Sequence, residues 1–85
     1  MNDIITESSQ VPHTNGRLRV DTSKGQILLL VPPGQPGDRL VIYKTSADNH
    51  MISVLADSKI FLFGQGEGSA HLELNNQGGM WTTQW

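Results

Sequence analysis

The sequence predicts an all-β protein: about seven short antiparallel strands in a small sandwich or barrel-like module, preceded by an extended N-terminal arm. Three observations support this prediction. Short runs of aliphatic and β-branched residues recur along the chain, clusters of Gly, Pro, Asn and Asp separate them, and no segment has the period of an amphipathic helix. We divide the chain into the arm, residues 1–16, and the β module, residues 17–85.

The size of the chain predicts a partner. Eighty-five residues make one domain, and a domain of this size buries only about 60% of its unfolded surface. Folds this small usually need a disulfide, a metal or a partner subunit for stability. The chain has no cysteine, which excludes disulfides and thiolate metal sites. We therefore expect it to form an oligomer or to dock onto a larger body.

Charge and hydropathy argue against two classes of partner. The net charge is −2, and the six basic residues are scattered singly, whereas nucleic-acid binding normally requires a basic patch. No apolar run approaches the ~20 residues of a transmembrane helix, and residues 1–7 lack the positive start and apolar core of a signal peptide. We expect no binding to nucleic acid or membrane, and synthesis in the cytoplasm.

The arm is polar, with three apolar residues and no helical face: Ile4, Ile5 and Val11. One interpretation is a frayed terminus. The other is an extended segment laid across a neighbouring subunit, since such segments order on binding and cover large areas with few residues. The second interpretation predicts Ile4, Ile5 and Val11 as partner-binding residues.

The strands of the module follow the apolar runs, with a hairpin turn expected at residues 22–25. We expect strands at residues 17–21, 27–31, 39–44, 51–55, 59–63, 70–74 and 80–85. The strand at 27–31 is apolar on both faces, which indicates cover on both sides by a second sheet or another subunit. Part of the cover is expected from a subunit, so Ile27, Leu28 and Leu30 are predicted at an oligomer interface.

The aromatic residues near the C-terminus have two interpretations. Trp81 and Trp85 bury large surfaces and favour interfaces, so we expect them to pack between subunits. Alternatively, Tyr43, Trp81 or Trp85 forms an exposed platform on which a carbohydrate stacks.

No residue pattern predicts catalysis, a cofactor or a metal. The histidines at positions 13, 50 and 71 have no metal-ligand spacing. The Gly-rich stretch at residues 64–68 lacks the flanking strand and helix, and the Lys-Ser/Thr pair, of a phosphate loop. No glycine-flanked serine elbow is present. We therefore expect a protein that is not an enzyme and has no cofactor.

The order of several short pieces resembles a small β module of tailed-bacteriophage virion proteins, found in capsid-decoration, head-fibre and tail-fibre proteins. The resemblance spans about residues 17–85 and rests on the order of its pieces: Val20 to Gly25, an aliphatic strand ending in Pro32, the corner Pro36-Gly37-Asp38-Arg39, a Val-Ile strand, Lys59 to Leu62, Gly64 to Gly68, Ala70 to Leu74 and Thr82 to Trp85. The resemblance implies a binding or structural unit without catalysis, commonly a trimer.

These observations lead to one main hypothesis and two alternatives. The main hypothesis is a non-enzymatic phage virion protein, a capsid-decoration (cement) protein that binds the capsid exterior as a homotrimer and stabilises it. Its partners would be copies of itself and the major capsid protein or another virion protein, and its location the virion. The alternatives are a tail-fibre or receptor- or glycan-binding adhesion module, and a non-viral β adaptor or inhibitor subunit.

Overall fold

The computed structural model describes residues 4–66 and 70–83, and these contain nine β-strands and no helix. The all-β prediction is therefore confirmed for the described residues. The strands are β1 (Ile4–Ile5), β2 (Ser9–Gln10), β3 (Gly16–Val20), β4 (Ile27–Val31), β5 (Arg39–Lys44), β6 (Ile52–Ala56), β7 (Lys59–Phe63), β8 (His71–Gln77) and β9 (Met80–Thr83). The two strands beyond the predicted seven are β1 and β2, which lie in the segment predicted as an arm.

The strands form two sheets, with the orders β1-β3-β5-β8-β9 and β2-β4-β6-β7. From β1 to β6, consecutive strands alternate between the sheets, so neighbours within a sheet lie two strands apart in sequence. These neighbours pair in parallel: β1 with β3, β3 with β5, β2 with β4, and β4 with β6. The remaining pairs, β5 with β8, β6 with β7 and β8 with β9, are antiparallel. The prediction of a purely antiparallel module was wrong because it assumed that adjacent strands pair.

The turns explain that difference. The turn at residues 22–25 closes with a hydrogen bond from Gly25 N–H to Thr22 O (3.0 Å), but it joins β3 in one sheet to β4 in the other, so it is not a hairpin. The hairpin turns lie at residues 57–58 and 78–79. Asp57 and Ser58 have φ values of 51° and 63°, the positive φ that two-residue hairpin turns require.

One hydrophobic core, shared by the two sheets, holds the fold together. Alternate positions of each strand supply it, as the period of two requires. In β4, for example, Ile27, Leu29 and Val31 are buried, while Leu28 and Leu30 are exposed. The buried apolar residues are Val11, Leu18, Val20, Ile27, Leu29, Val31, Leu40, Ile42, Ile52, Val54, Ala56, Phe63, Leu72, Leu74 and Trp81.

Trp81 closes the core against the Pro/Gly corner between β4 and β5. Its side chain is fully buried, and its Nε1–H donates to Pro32 O at 3.0 Å. The indole lies so close to Gly34 that a Cβ at that position would be 2.5 Å from Trp81 Cζ2. Glycine is thus required at position 34 by the close approach of the ring. This contact links β9 to the corner from which β5 begins.

Neighbouring positions on β4 test this alternation. We expect Leu29→Ala to lower the free energy of unfolding by about 2–5 kcal/mol, because it removes buried methyl groups and leaves a cavity. Leu28→Ala is the matched control, and its exposed side chain predicts a change within about 0.5 kcal/mol. Urea denaturation measures both. Equal losses for the two variants would contradict the register of β4.

Candidate interaction surface

The outer face of the four-stranded sheet carries a contiguous set of aliphatic side chains. On β4, Leu28 and Leu30 are 41% and 42% exposed, and on β7, Ile60 and Leu62 are 63% and 51% exposed. Leu55 of β6 lies between them and is partly exposed. We call the following residues the apolar face: Leu28, Leu30, Leu55, Ile60 and Leu62.

The strand register places these residues in two rows across the sheet. One row runs Leu30–Leu55–Ile60, and the other runs from Leu28 through Ser53 to Leu62. Neither row contains a charged residue. Large aliphatic side chains gain free energy when they leave water, and a contiguous exposed set of them on a small protein typically marks an interaction site. The chemistry of this surface is therefore contact with another apolar surface.

The outer face of the five-stranded sheet is different in kind. Arg19, Tyr43 and His71 form one row of it, and the rings of Tyr43 and His71 lie 5.9 Å apart. Further along β5 and β8, the Arg39 side chain donates a hydrogen bond to Glu73 Oε1 at 2.6 Å. We call this the polar face. The module thus has one apolar outer surface and one that is mostly polar, since the five-stranded sheet also exposes two apolar residues, Ile4 (47%) and Met80 (51%).

Hydrogen bonds on the polar face stabilise the charged form of Glu73. The side-chain amide of Asn75 donates to Glu73 Oε2 at 3.1 Å. This bond, followed by the one from Arg39, holds the pKa of Glu73 below its usual value. The Glu73–Arg39 pair is exposed on the arginine side, where such pairs contribute little to stability. Its main effect is to hold the Arg39 and Glu73 side chains in place on the hydrated polar face.

A buried lysine joins the end of β5 to two loops. The Lys44 side chain is fully buried, and its Nζ donates to Asp48 O and to Gly64 O, both at 2.6 Å. Asp48 Oδ1 lies 3.3 Å from the same nitrogen. Because an ammonium has three donors, these partners satisfy it. The Lys44 side chain therefore holds the loops that contain Asp48 and Gly64 to the end of β5.

Asp48 is the counter-ion in this cluster. Burial alone would raise the pKa of Asp48, but the hydroxyls of Ser46 and Thr22 oppose that effect. The Thr22 hydroxyl donates to Asp48 Oδ1 at 2.8 Å, and the backbone N–H of His50 donates to the same oxygen at 2.9 Å. With the contribution of Lys44, these bonds hold the pKa well below its ordinary value of 3.8. Asp48 therefore stays ionised beside the lysine.

The predicted arm residues lie along their own module. β1 extends the five-stranded sheet, and Asp21 N–H donates to Ile5 O at 2.9 Å. Ile4 is 47% exposed, whereas Ile5 packs partly buried against the core. Val11 is buried in that core, and its N–H donates to Leu30 O at 2.9 Å. The partner-binding role of these residues stays a prediction.

The predicted oligomer-interface residues separate into three groups. Leu28 and Leu30 belong to the apolar face. Ile27 and Trp81 are buried in the core of the same chain, so their side chains are already covered without a partner. Trp85 lies outside the described residues. Only the first group presents side chains to a second molecule in this structure.

Three residues of the apolar face were not predicted from the sequence: Leu55, Ile60 and Leu62. The strand at residues 59–63 is apolar at four consecutive positions, so its sequence does not indicate which alternate set faces inward. A signal was present in the hairpin, because the two-residue turn at 57–58 pairs Ile60 with Leu55 and Leu62 with Ser53. Ser53 is polar, and a serine opposite Leu62 favours the solvent side for that row.

The described residues hold no arrangement of three or more His, Cys, Asp or Glu side chains that would bind a metal ion. They also contain no helix long and apolar enough to span a membrane. No protein-family model matches the sequence, and no curated protein matches it. The basis for a functional assignment is therefore the geometry of the two outer faces.

The Asp48 cluster predicts how stability depends on pH. Because the pKa of Asp48 is lower in the folded than in the unfolded chain, the folded chain binds fewer protons. The stability that ionised Asp48 contributes to the folded chain is fully present above the unfolded pKa of 3.8, and it is lost as the pH falls below that value. We expect Asp48→Asn to lower stability at pH 7 and to flatten its decline below pH 4. Urea denaturation across this pH range measures both effects, and equal acid sensitivity of the two proteins would contradict the assignment.

Proposed function

We propose that this chain is a non-enzymatic structural protein of a bacteriophage virion. Specifically, it is a capsid-decoration protein that binds the capsid exterior as an oligomer and stabilises it. The observation that carries the proposal is the apolar face, because it is a contiguous apolar surface on a chain whose opposite outer face is mostly polar. The order of sequence pieces shared with phage virion modules supports the same function.

Such a two-sided module suits attachment to a large surface. When the apolar face contacts a capsid, the polar face remains in water with its arginines and Glu73. A protein that binds the assembled capsid in preference to its separate subunits stabilises the assembly by mass action. The two sheets and their shared core form, in this proposal, a small sandwich that acts as a rigid plate.

The size of the apolar face favours binding as an oligomer. Its four most exposed side chains are roughly half exposed, so burying them is worth about 3–6 kcal/mol. Association of one protein with another costs an estimated 4–15 kcal/mol in lost freedom and ordering. One face alone therefore binds weakly. Linking several copies makes the later contacts intramolecular and raises the overall affinity without new chemistry.

The N-terminal segment contributes a second contact in this proposal. β1 and β2 are only two residues long, and among the described strands each pairs with one neighbour. Ile4 lies beside Arg19 at the edge of the five-stranded sheet and exposes about half of its side chain. We assign Ile4 to contact with a capsid subunit, where it would anchor the edge of the module.

Charge on the apolar face tests the proposal. We expect Leu30→Lys to abolish co-sedimentation with empty capsids of the phage that encodes the chain, because burying an unpaired ammonium is strongly unfavourable. Arg17→Lys, on the opposite sheet, is the matched control and should bind normally. Circular dichroism verifies that both variants are folded.

The number of copies in purified particles provides an independent measurement. A decoration protein is present in proportion to the capsid subunits, whereas a tail component is present in only a few copies. Few copies per particle, or normal capsid binding by Leu30→Lys, would contradict the proposal.

The Tyr43–His71 pair favours one alternative, a glycan-binding adhesion module. Tyr43 is partly exposed beside Arg19, and an aromatic ring in such a position can stack on a sugar ring while the polar neighbours hydrogen-bond its hydroxyls. Trp81 is buried and is not available for that role. This alternative predicts that Tyr43→Ala abolishes binding to host cells or glycan arrays, while Leu30→Lys leaves it unchanged. Retention of capsid binding by Tyr43→Ala would favour decoration.

A further inference from the structure

Strand β7 is an open edge of the four-stranded sheet. It pairs with β6 on one side, and no strand among the described residues pairs with its other side. With five residues it is the longest edge strand described, since β1 and β2 have two residues each and β9 has four. Exposed apolar edge strands are ready templates for pairing with another strand.

The hairpin geometry identifies which backbone groups point outward. In a two-residue hairpin the residues flanking the turn, here Ala56 and Lys59, form a hydrogen-bonded pair, and such pairs alternate along the ladder. The N–H and C=O groups of Lys59, Phe61 and Phe63 therefore point toward β6. Those of Ile60 and Leu62 point away from it. The same two residues carry the most exposed side chains of the apolar face.

We propose that this edge binds a second copy of the chain, with β7 antiparallel to β7 about a twofold axis at Phe61. The axis pairs Ile60 with Leu62 of the copy and Leu62 with Ile60 of the copy. Each pair exchanges N–H···O bonds in both directions, which gives roughly four backbone hydrogen bonds. Phe61 meets its own copy at the axis as a non-hydrogen-bonded pair. In this register the outward N–H and C=O groups of Ile60 and Leu62 lie directly opposite those of the copy, so no change of register is needed to form the bonds.

The side chains of β7 also fit a second copy. On the outer face, the register brings Ile60 and Leu62 into aliphatic cross-strand pairs. Lys59 lies opposite Phe63 of the copy, so the two lysines stand at opposite ends of the paired strands. An axis at Lys59 would bring these like charges together, which is unfavourable. Axes at Ile60 or Leu62 would leave part of the strand unpaired.

Pairing along β7 would place the apolar faces of the two copies side by side. Residues opposite each other in an antiparallel pair lie on the same face, so the two apolar faces become one continuous face on an eight-stranded sheet. The pairing rests on the geometry of β7, and its use on a particle rests on the proposed function. On a capsid it would supply the second copy that the weak single face requires.

Proline substitution tests the edge without disturbing the hairpin. The Ile60 N–H is not used by β6, so Ile60→Pro removes an outward donor and blocks strand addition while the internal ladder is kept. Thr83→Pro is the matched control, because Thr83 has an equivalent outward position in β9, by the same alternation from the turn at 78–79. The measurement is sedimentation equilibrium at protein concentrations up to about 1 mM, which is the effective concentration of binding modules linked in one assembly. It should show dimers for the parent and for Thr83→Pro. For Ile60→Pro the dissociation constant should rise at least about tenfold.

A cross-link provides a second test that does not depend on a proline variant folding. The chain has no cysteine, so Phe61→Cys introduces a single thiol at the proposed axis. The Cα atoms there would lie about 4.5 Å apart, within the range for a disulfide, and oxidation should give a covalent dimer. Ser53→Cys, one strand further from the axis, should remain monomeric under the same conditions.

The outcomes separate the two proposals. A trimer, as the family resemblance implies, a monomer at all concentrations, or equal cross-linking of both cysteine variants would overturn the β7 pairing. Each of those results leaves capsid decoration intact if Leu30→Lys still loses capsid binding. Conversely, dimers that bind no capsid support the pairing and contradict decoration.

Discussion

The fold depends on one layer of aliphatic side chains between two sheets. Side chains of a strand alternate between its two faces, so committing Ile27, Leu29 and Val31 to that layer forces Leu28 and Leu30 outward. A shift of one residue would exchange the two sets. Because the whole strand is aliphatic, the core is filled at the cost of an exposed apolar surface. The apolar face of the module is therefore a direct consequence of how its core is built.

The outer faces of the two sheets differ in the polarity of their side chains. In the five-stranded sheet, outward positions of β3, β5 and β8 hold arginine, tyrosine, histidine and glutamate, which remain hydrated or pair with each other, while Ile4 and Met80 of the same sheet are also exposed. In the four-stranded sheet the outward positions hold leucine and isoleucine, which cannot form such polar contacts. The ends of the core use hydrogen bonds in place of aliphatic contact: Lys44 with Asp48, and Trp81 with Pro32. These contacts bury large side chains within the chain, whereas the aliphatic side chains of the apolar face remain exposed.

The two proposals concern different parts of the same sheet and combine into one physical account. The apolar face provides burial, and the β7 edge provides directional hydrogen bonds. Burial of one face is comparable to the cost of association, so one copy gains little by itself. Pairing along β7 doubles the face without adding a new kind of contact. The β6–β7 hairpin links the two features, because its turn sets the register of Leu55, Ile60 and Leu62 in the apolar face and of the open backbone groups of β7.

The sequence by itself determined the strands of the module and the all-β class, because periodicity and turn residues are local signals. It also predicted Ile27, Leu28 and Leu30 at an interface, and of these the structure exposes Leu28 and Leu30 and buries Ile27. Only the tertiary structure decided how β1 to β6 pair, since consecutive strands in that part of the chain cross between the sheets and parallel neighbours are distant in sequence. The packing of the two sheets on each other also placed Val11 and Trp81 in the core and left Ile60 and Leu62 exposed. Which face of an all-apolar strand is buried depends on its partners across the sheet and the core, and the strand's own residues do not encode it.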